Sequence, residues 1–230
     1  MVEPMLHPNW PTRQLDLAIA GRKLLLQSPD NPYSLLDLPG VEKAFAEDDY
    51  MPYWAHLWPA SLMLADWLIR QVDSAASSRT GQPACHAIPL PPSDLLEIGC
   101  GLAAPGLLAA QLGYRVTLSD YDGDALVFAE RNARLNNVAA RVAKLDWRHP
   151  PGERYPFILA ADVLYEQRNH APVLDLLRHS LAAGGLAALS DPSRLVADVF
   201  PRAAHLAGWT VEILPAKWED TVGRILLLRR

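Results

Sequence analysis

Asp94-Leu95-Leu96-Glu97-Ile98-Gly99-Cys100-Gly101 is the stretch on which the fold turns. Three apolar residues around one acid make a short strand. The glycines after it make a tight turn, where the backbone can approach a ligand closely. A helix is expected from about Pro105 to Leu112, stopped by Gly113. Strand, glycine turn and helix open a unit that binds ligands at the carboxyl ends of parallel strands.

Downstream the rhythm repeats. Arg115 to Ser119 reads as a second strand, ending in Asp120, and Ala125, Phe128, Ala129, Asn132 and Leu135 fall on one helix. Val142 to Leu145 and Phe157 to Ala161 read as further strands, the latter reaching Asp162. Pro172 to Ala182 is expected as a helix closed by Gly184-Gly185, with Leu186 to Leu189 the next strand. Asp191-Pro192 is expected to open another helix, kinked at Pro201. Strands alternating with helices imply an α/β domain with a parallel, Rossmann-like sheet and helices on both faces. Trp209 to Leu214 and Arg224 to Leu228 have no room for a helix between them and must pair antiparallel.

Upstream, Leu15, Leu17 and Ile19 alternate with other residues, and Gly21 separates them from Lys23 to Gln27, which predicts a β-hairpin. Tyr50 to Trp58 sets aromatics beside prolines, and Pro59 opens a helix carrying Met63, Leu64, Trp67 and Leu68. The Ser, Ala, Gly and Pro-rich stretch 73–93 reads as a flexible loop. Residues 1–56 are thus expected as an N-terminal extension and 57–230 as the α/β domain.

The 230 residues suffice for one substantial core, and half are apolar. A formal charge of −5 argues against non-specific nucleic-acid binding and is compatible with a basic partner. The two cysteines, Cys85 and Cys100, are too few for a disulfide scaffold and point to a reduced, cytoplasmic setting. No signal peptide or bilayer-spanning run is visible, and the seven histidines show no metal-ligand spacing. The expected partners are therefore neither membrane nor metal nor nucleic acid, and the chain is expected as a monomer.

Gly99-x-Gly101-x-x-Ala104 also satisfies the dinucleotide-binding fingerprint, and Asp120 stands where a ribose-binding carboxylate belongs, so a nicotinamide-dependent oxidoreductase is one reading. Three features favour a methyltransferase that binds a cationic sulfonium cofactor. Glu97 stands two residues before the glycine turn, the final strands are antiparallel, and no Tyr-x-x-x-Lys pair occurs.

Leu57-Trp58-Pro59-Ala60, Glu97 to Gly101, Leu145-Asp146-Trp147 and Ala161-Asp162-Val163-Leu164-Tyr165 occur in that order and spacing. In these stretches the chain resembles the seven-strand S-adenosylmethionine-dependent methyltransferases with an Asp-x-x-Tyr motif. Many of these modify protein lysines, including the one acting on the electron-transfer flavoprotein beta subunit. The resemblance implies a seven-stranded sheet with one final antiparallel strand. It implies that Trp58, Glu97, Gly99, Cys100, Gly101, Asp120, Asp146, Trp147 and Ala161 form the cofactor site, with Asp146 and Trp147 flanking the adenine. Asp162 and Tyr165 would act at the mouth of the transfer site, with Tyr53 and Trp54 as an aromatic wall for a lysine. The loop Leu102-Ala103-Ala104-Pro105-Gly106 departs from the family's usual Thr-Gly pair. The Asn/Asp-Pro-Pro-Tyr/Phe motif of amide and adenine methyltransferases is missing. A protein lysine is the expected acceptor. A small-molecule amine is the alternative within the same fold, and a non-catalytic cofactor binder is the alternative outside catalysis.

Overall fold

The computed structural model describes residues 6, 10–77 and 88–230. Its first elements are an antiparallel hairpin, β1 (Thr12–Ile19) and β2 (Arg22–Pro29), followed by helices α1 (Pro39–Asp48) and α2 (Pro59–Ser77). Alternating strands and helices follow: β3 (Asp94–Ile98), α3 (Ala104–Gln111), β4 (Arg115–Asp120), α4 (Gly123–Leu135) and β5 (Ala140–Lys144). Then come β6 (Tyr155–Ala161), α5 (His170–Ser180), β7 (Leu181–Asp191), α6 (Phe200–Leu206), β8 (Thr210–Trp218) and β9 (Thr221–Arg229). β3 to β9 form one seven-stranded sheet in the order β5-β4-β3-β6-β7-β9-β8, and β9 runs antiparallel to both its neighbours. That is the α/β architecture expected from the sequence.

Successive side chains of a strand point to opposite faces. Leu95, Phe157, Leu159, Leu186, Ala188, Ile225 and Leu227 accordingly join one core, with α2, α3, α4 and the hairpin. Leu96, Ile98, Ile158, Ala160, Ala187, Leu189, Leu226 and Leu228 join the other, with α5 and α6. Burial on both faces explains why these strands read as continuous apolar runs.

The hairpin is fixed by two amides on α4 and its cap. The Asn132 Oδ1 accepts the Gln27 N–H at 2.7 Å and its Nδ2 donates to the Gln27 carbonyl at 3.2 Å. Asn136 does the same for Leu25, at 2.9 and 2.6 Å. Four residues of helix rise about 6 Å and two of strand about 6.6 Å, so the pair serves β2 as a short neighbouring strand.

The structure corrects several element boundaries. α2 runs on to Ser77, into the stretch read as a loop, because alanine and serine continue a helix as readily as a loop. Residues 78–87, with Cys85, lie outside the described residues; beyond them, the Tyr114 hydroxyl donates to the Pro89 carbonyl at 2.8 Å. β7 begins at Leu181 because its register slips beside β6: Tyr155 pairs with Leu181 but Phe157 with Leu186. Pro201 lies in the first turn of α6, where a missing N–H costs nothing, so it starts this helix and does not kink it. Helix α1 was not anticipated.

Candidate active site

The strand order turns between β3 and β6, and such a switch point leaves a crevice at the carboxyl ends. A cleft of about 510 Å³ opens there. Of the residues singled out from sequence, all but Glu97 line it.

One side is built from the turn after β3. Gly99 and Gly101 have φ of +61° and +50°, a region that side chains rarely adopt. A Cβ on Gly99 would stand 2.9 Å from Trp147, and one on Gly101 3.1 Å from the Trp54 carbonyl. Asp120 holds this turn: one carboxylate oxygen accepts the Gly101 N–H at 2.8 Å and the other the Asp122 N–H at 3.0 Å. The Tyr121 backbone N–H also bonds this carboxylate, which still keeps acceptor capacity for a ligand. Asp122 caps α4 through the Asp124 N–H at 2.7 Å and accepts the Tyr50 hydroxyl on its other oxygen. Trp147 lies against Gly99, and its Nε1 is buried with no partner among the described residues.

Glu97 lies behind the turn, out of the cleft. It is 1% exposed and accepts the Gly106 N–H at 2.9 Å, bracing α3. Burial pushes its carboxyl up to about 8, against the pull of the Gly106 N–H and with help from the charge of Asp120. Burial likewise raises Asp120, lifts Asp122 to about 7 against the Tyr50 bond, and raises the Cys100 thiol.

The opposite side is built from side chains. Asp162 follows β6 with φ +56°, anchored by its N–H to the Ser190 carbonyl at 2.9 Å, and is 7% exposed. Both its oxygens are taken by Arg194, Nε at 2.7 Å and Nη2 at 2.7 Å. The Arg194 guanidinium carbon lies 5.7 Å from the Trp58 ring centre. Tyr53 stands edge-on to Tyr165 at 5.4 Å and to Trp58 at 6.2 Å. Burial pushes the Tyr165 hydroxyl up to about 12. Trp54 differs from Tyr53: its ring is buried against Phe128 at 5.1 Å, so it belongs to the core, with its backbone against Gly101.

A third group ties the end of α1 and the residue after it across the mouth. Arg148 bonds both oxygens of Asp48, at 2.9 and 3.1 Å, and both of Asp146, at 2.8 to 3.1 Å. Burial works against the Asp146 charge, but the Arg148 bonds outweigh it and hold the carboxyl below its usual range. Asp146, expected to face an adenine amine, therefore has Arg148 as its partner in this structure. Arg168 bonds Asp49 at 2.7 Å. Arg148, Arg168, Arg194, Tyr50 and Asp122 were not found from sequence. The one usable signal was for Arg194, which lies just past the carboxyl end of β7, where the crevice must be.

The cofactor implied by the sequence fits on three counts: a glycine cradle that a Cβ would fill, a carboxylate with remaining acceptor capacity, and a buried indole N–H with no partner among the described residues.

The chain matches the model of the lysine methyltransferase family over residues 44–189. It is 29% identical to the histone-arginine methyltransferase METTL23 of Rattus norvegicus, over 68% of this chain and 66% of the relative. It is also 29% identical to the protein N-lysine methyltransferase METTL21A of Xenopus tropicalis, over 63% of each chain. The chain thus spans just under two thirds of the length of both curated relatives. The magnesium protoporphyrin IX methyltransferase of Synechocystis PCC 6803, solved with bound SAM, superposes with a TM-score of 0.56 at 16% identity, covering 83% of this chain and 95% of that one. That likeness concerns the fold. With residues 44–189 matched, and the sheet order, glycine turn and Asp-x-x-Tyr stretch all in place, the chain belongs to the lysine methyltransferase family.

Proposed function

We propose that the chain is an S-adenosylmethionine-dependent N-methyltransferase whose acceptor is a lysine side chain of a protein. One observation carries the reading: Gly99-Cys100-Gly101 with Asp120, and the aromatic-walled Asp162, line one cleft. Glu97, Asp120 and Asp122 place three buried carboxyls at or behind the cofactor side, and backbone N–H groups and the Tyr50 hydroxyl hold them. Such a floor suits a ligand that brings positive charge.

When bound there, S-adenosylmethionine supplies an electrophilic methyl group. Asp120 would accept the ribose hydroxyls, and Trp147 would offer its ring face to the adenine. The chain's remaining task is to present a neutral nitrogen. A free lysine amine titrates at about 10.4, so its neutral form at pH 7.4 costs about 4 kcal/mol. Asp162 steers the cation inward, Tyr53, Trp58 and Tyr165 wall its methylene stem, and the proton leaves to solvent before the nitrogen closes in line.

Arginine is the second reading, favoured by the METTL23 relatives and by the seat at Asp162, which holds a guanidinium. A guanidinium is harder to neutralise, at about 7 kcal/mol for pH 7.4. Labelled-methyl transfer into cell lysate, followed by mass spectrometry of the labelled residue, separates the two. Thermal stabilisation by NAD and not by S-adenosylhomocysteine would overturn both.

A further inference from the structure

Two arginine–aspartate pairs stand close together at the carboxyl end of the sheet, and they are built differently. Arg224 reaches from β9 to Asp191 at 2.9 Å and to Asp198 at 2.8 Å, with only 17% of its side chain exposed. Arg194 is twice as exposed, at 34%, and stands on residues 192–194, which form neither helix nor strand. Its own N–H makes a long 3.4 Å bond to Asp191. Arg224 is fixed between two carboxylates, whereas Arg194 hangs by its guanidinium in the cleft wall.

The seat that Arg194 fills has the chemistry of a cation subsite. A buried carboxylate offers both oxygens to a planar fork, and the Trp58 ring lies within cation–π reach. While Arg194 is there, the Asp162 charge is matched and an approaching cation gains little from it. If Arg194 leaves, Arg224 still pairs Asp191, so only Asp162 loses its partner. An incoming cation restores that pair, whereas a neutral side chain would leave a buried carboxylate alone, which is strongly unfavourable.

Resting on the reading of Asp162 as the acceptor's carboxylate, we propose that Arg194 is a displaceable stand-in for the acceptor. It closes the acceptor side of the cleft, and only a cationic side chain enters by taking its place on Asp162. Arg194 is then a specificity-determining residue, because the exchange selects charge before any chemistry.

The test titrates methylammonium and methylguanidinium, the heads of lysine and arginine, into protein saturated with S-adenosylhomocysteine, read by calorimetry. Arg194→Ala should bind one or both at least about tenfold tighter than the unaltered chain, since removing a competitor restores the competent fraction. The double variant Arg194→Ala/Asp162→Asn should lose that gain. Arg194→Gln, which keeps a polar partner for Asp162, should fall between and serves if the alanine variant does not fold. Equal binding by Arg194→Ala and the unaltered chain, or no binding by Arg194→Ala and Arg194→Gln, would overturn the proposal. Failure of S-adenosylhomocysteine to bind the unaltered chain is a separate result; it would sink the methyltransferase reading and this proposal with it.

Discussion

Asp120 and Asp162 end two strands that flank β3, one on each side, yet they are held in opposite ways. Asp120 is locked by backbone N–H groups of its own turn and its neighbour's. Asp162 is held by the tip of a long side chain from a loop 32 residues away. Backbone bonds move only if the fold moves, whereas a guanidinium can swing away by rotating about its own side-chain bonds. On the proposed reading, the cofactor side is therefore preorganised and the acceptor side exchangeable. That division suits a cleft with one constant ligand and one acceptor that must come and go.

The largest effect should fall on the exchangeable side. Asp162→Asn keeps size and a carbonyl but loses the charge proposed to receive the acceptor. Methyl transfer should drop roughly a hundredfold, corresponding to about 3 kcal/mol for a broken charge pair. S-adenosylhomocysteine affinity, measured by calorimetry, should stay within a few-fold. Equal loss of both would erase the contrast between the two carboxylates. Tyr165→Phe should be milder, because its ring packs on Tyr53 without the hydroxyl.

Asp120→Ala tests the preorganised side. Cofactor affinity should weaken by about 1.5–3 kcal/mol, the range for hydrogen bonds to a charged group. The Gly101 and Asp122 N–H groups also lose their acceptor, so the turn should loosen along with the ribose site. Unchanged affinity would show that the turn alone binds. A smaller effect is expected from Asn132→Ala, which strips bonds to Gln27 and to the Leu102 carbonyl. Urea unfolding should report a loss of about 1–3 kcal/mol, with transfer per folded molecule little changed.

The preorganised side is also the side that was legible in the sequence. Gly99, Gly101, Asp120 and the strands around them are close in sequence, and their spacing follows from one βα unit. The acceptor side and the mouth of the cleft depend on contacts that no local pattern encodes. Arg148 meets Asp48 across 100 residues, Arg168 meets Asp49 across 119, and Arg194 meets Asp162 across 32. Asp162 and Tyr165 could be picked out by motif, but the cation that occupies Asp162 could not. Helix α1 was missed for a related reason: Pro39-Gly40 reads as a turn, and Val41 is its one buried residue. Trp54 was misjudged because an aromatic that walls a site and one that fills a core read alike until Phe128 is placed beside it.

Glu97 offers the finest test, because it makes the preorganised side sensitive to pH where the acceptor side has arginines to match its carboxylates. Its carboxyl is raised from 4.5 to about 8, chiefly by burial. The folded chain therefore keeps a proton that the unfolded chain releases above about pH 4.5. A raised carboxyl stabilises fully below the unfolded value, and its contribution drains away as pH rises through about 8. Glu97→Gln keeps a carbonyl for the Gly106 N–H and has nothing to titrate. Urea unfolding of both proteins between pH 4.5 and 8 should show the original chain losing stability relative to the variant as pH rises. Saturating S-adenosylmethionine should reduce the difference, because positive charge in the cleft favours the ionised carboxyl. Parallel stability curves would mean that Glu97 titrates normally and is less isolated than its burial implies.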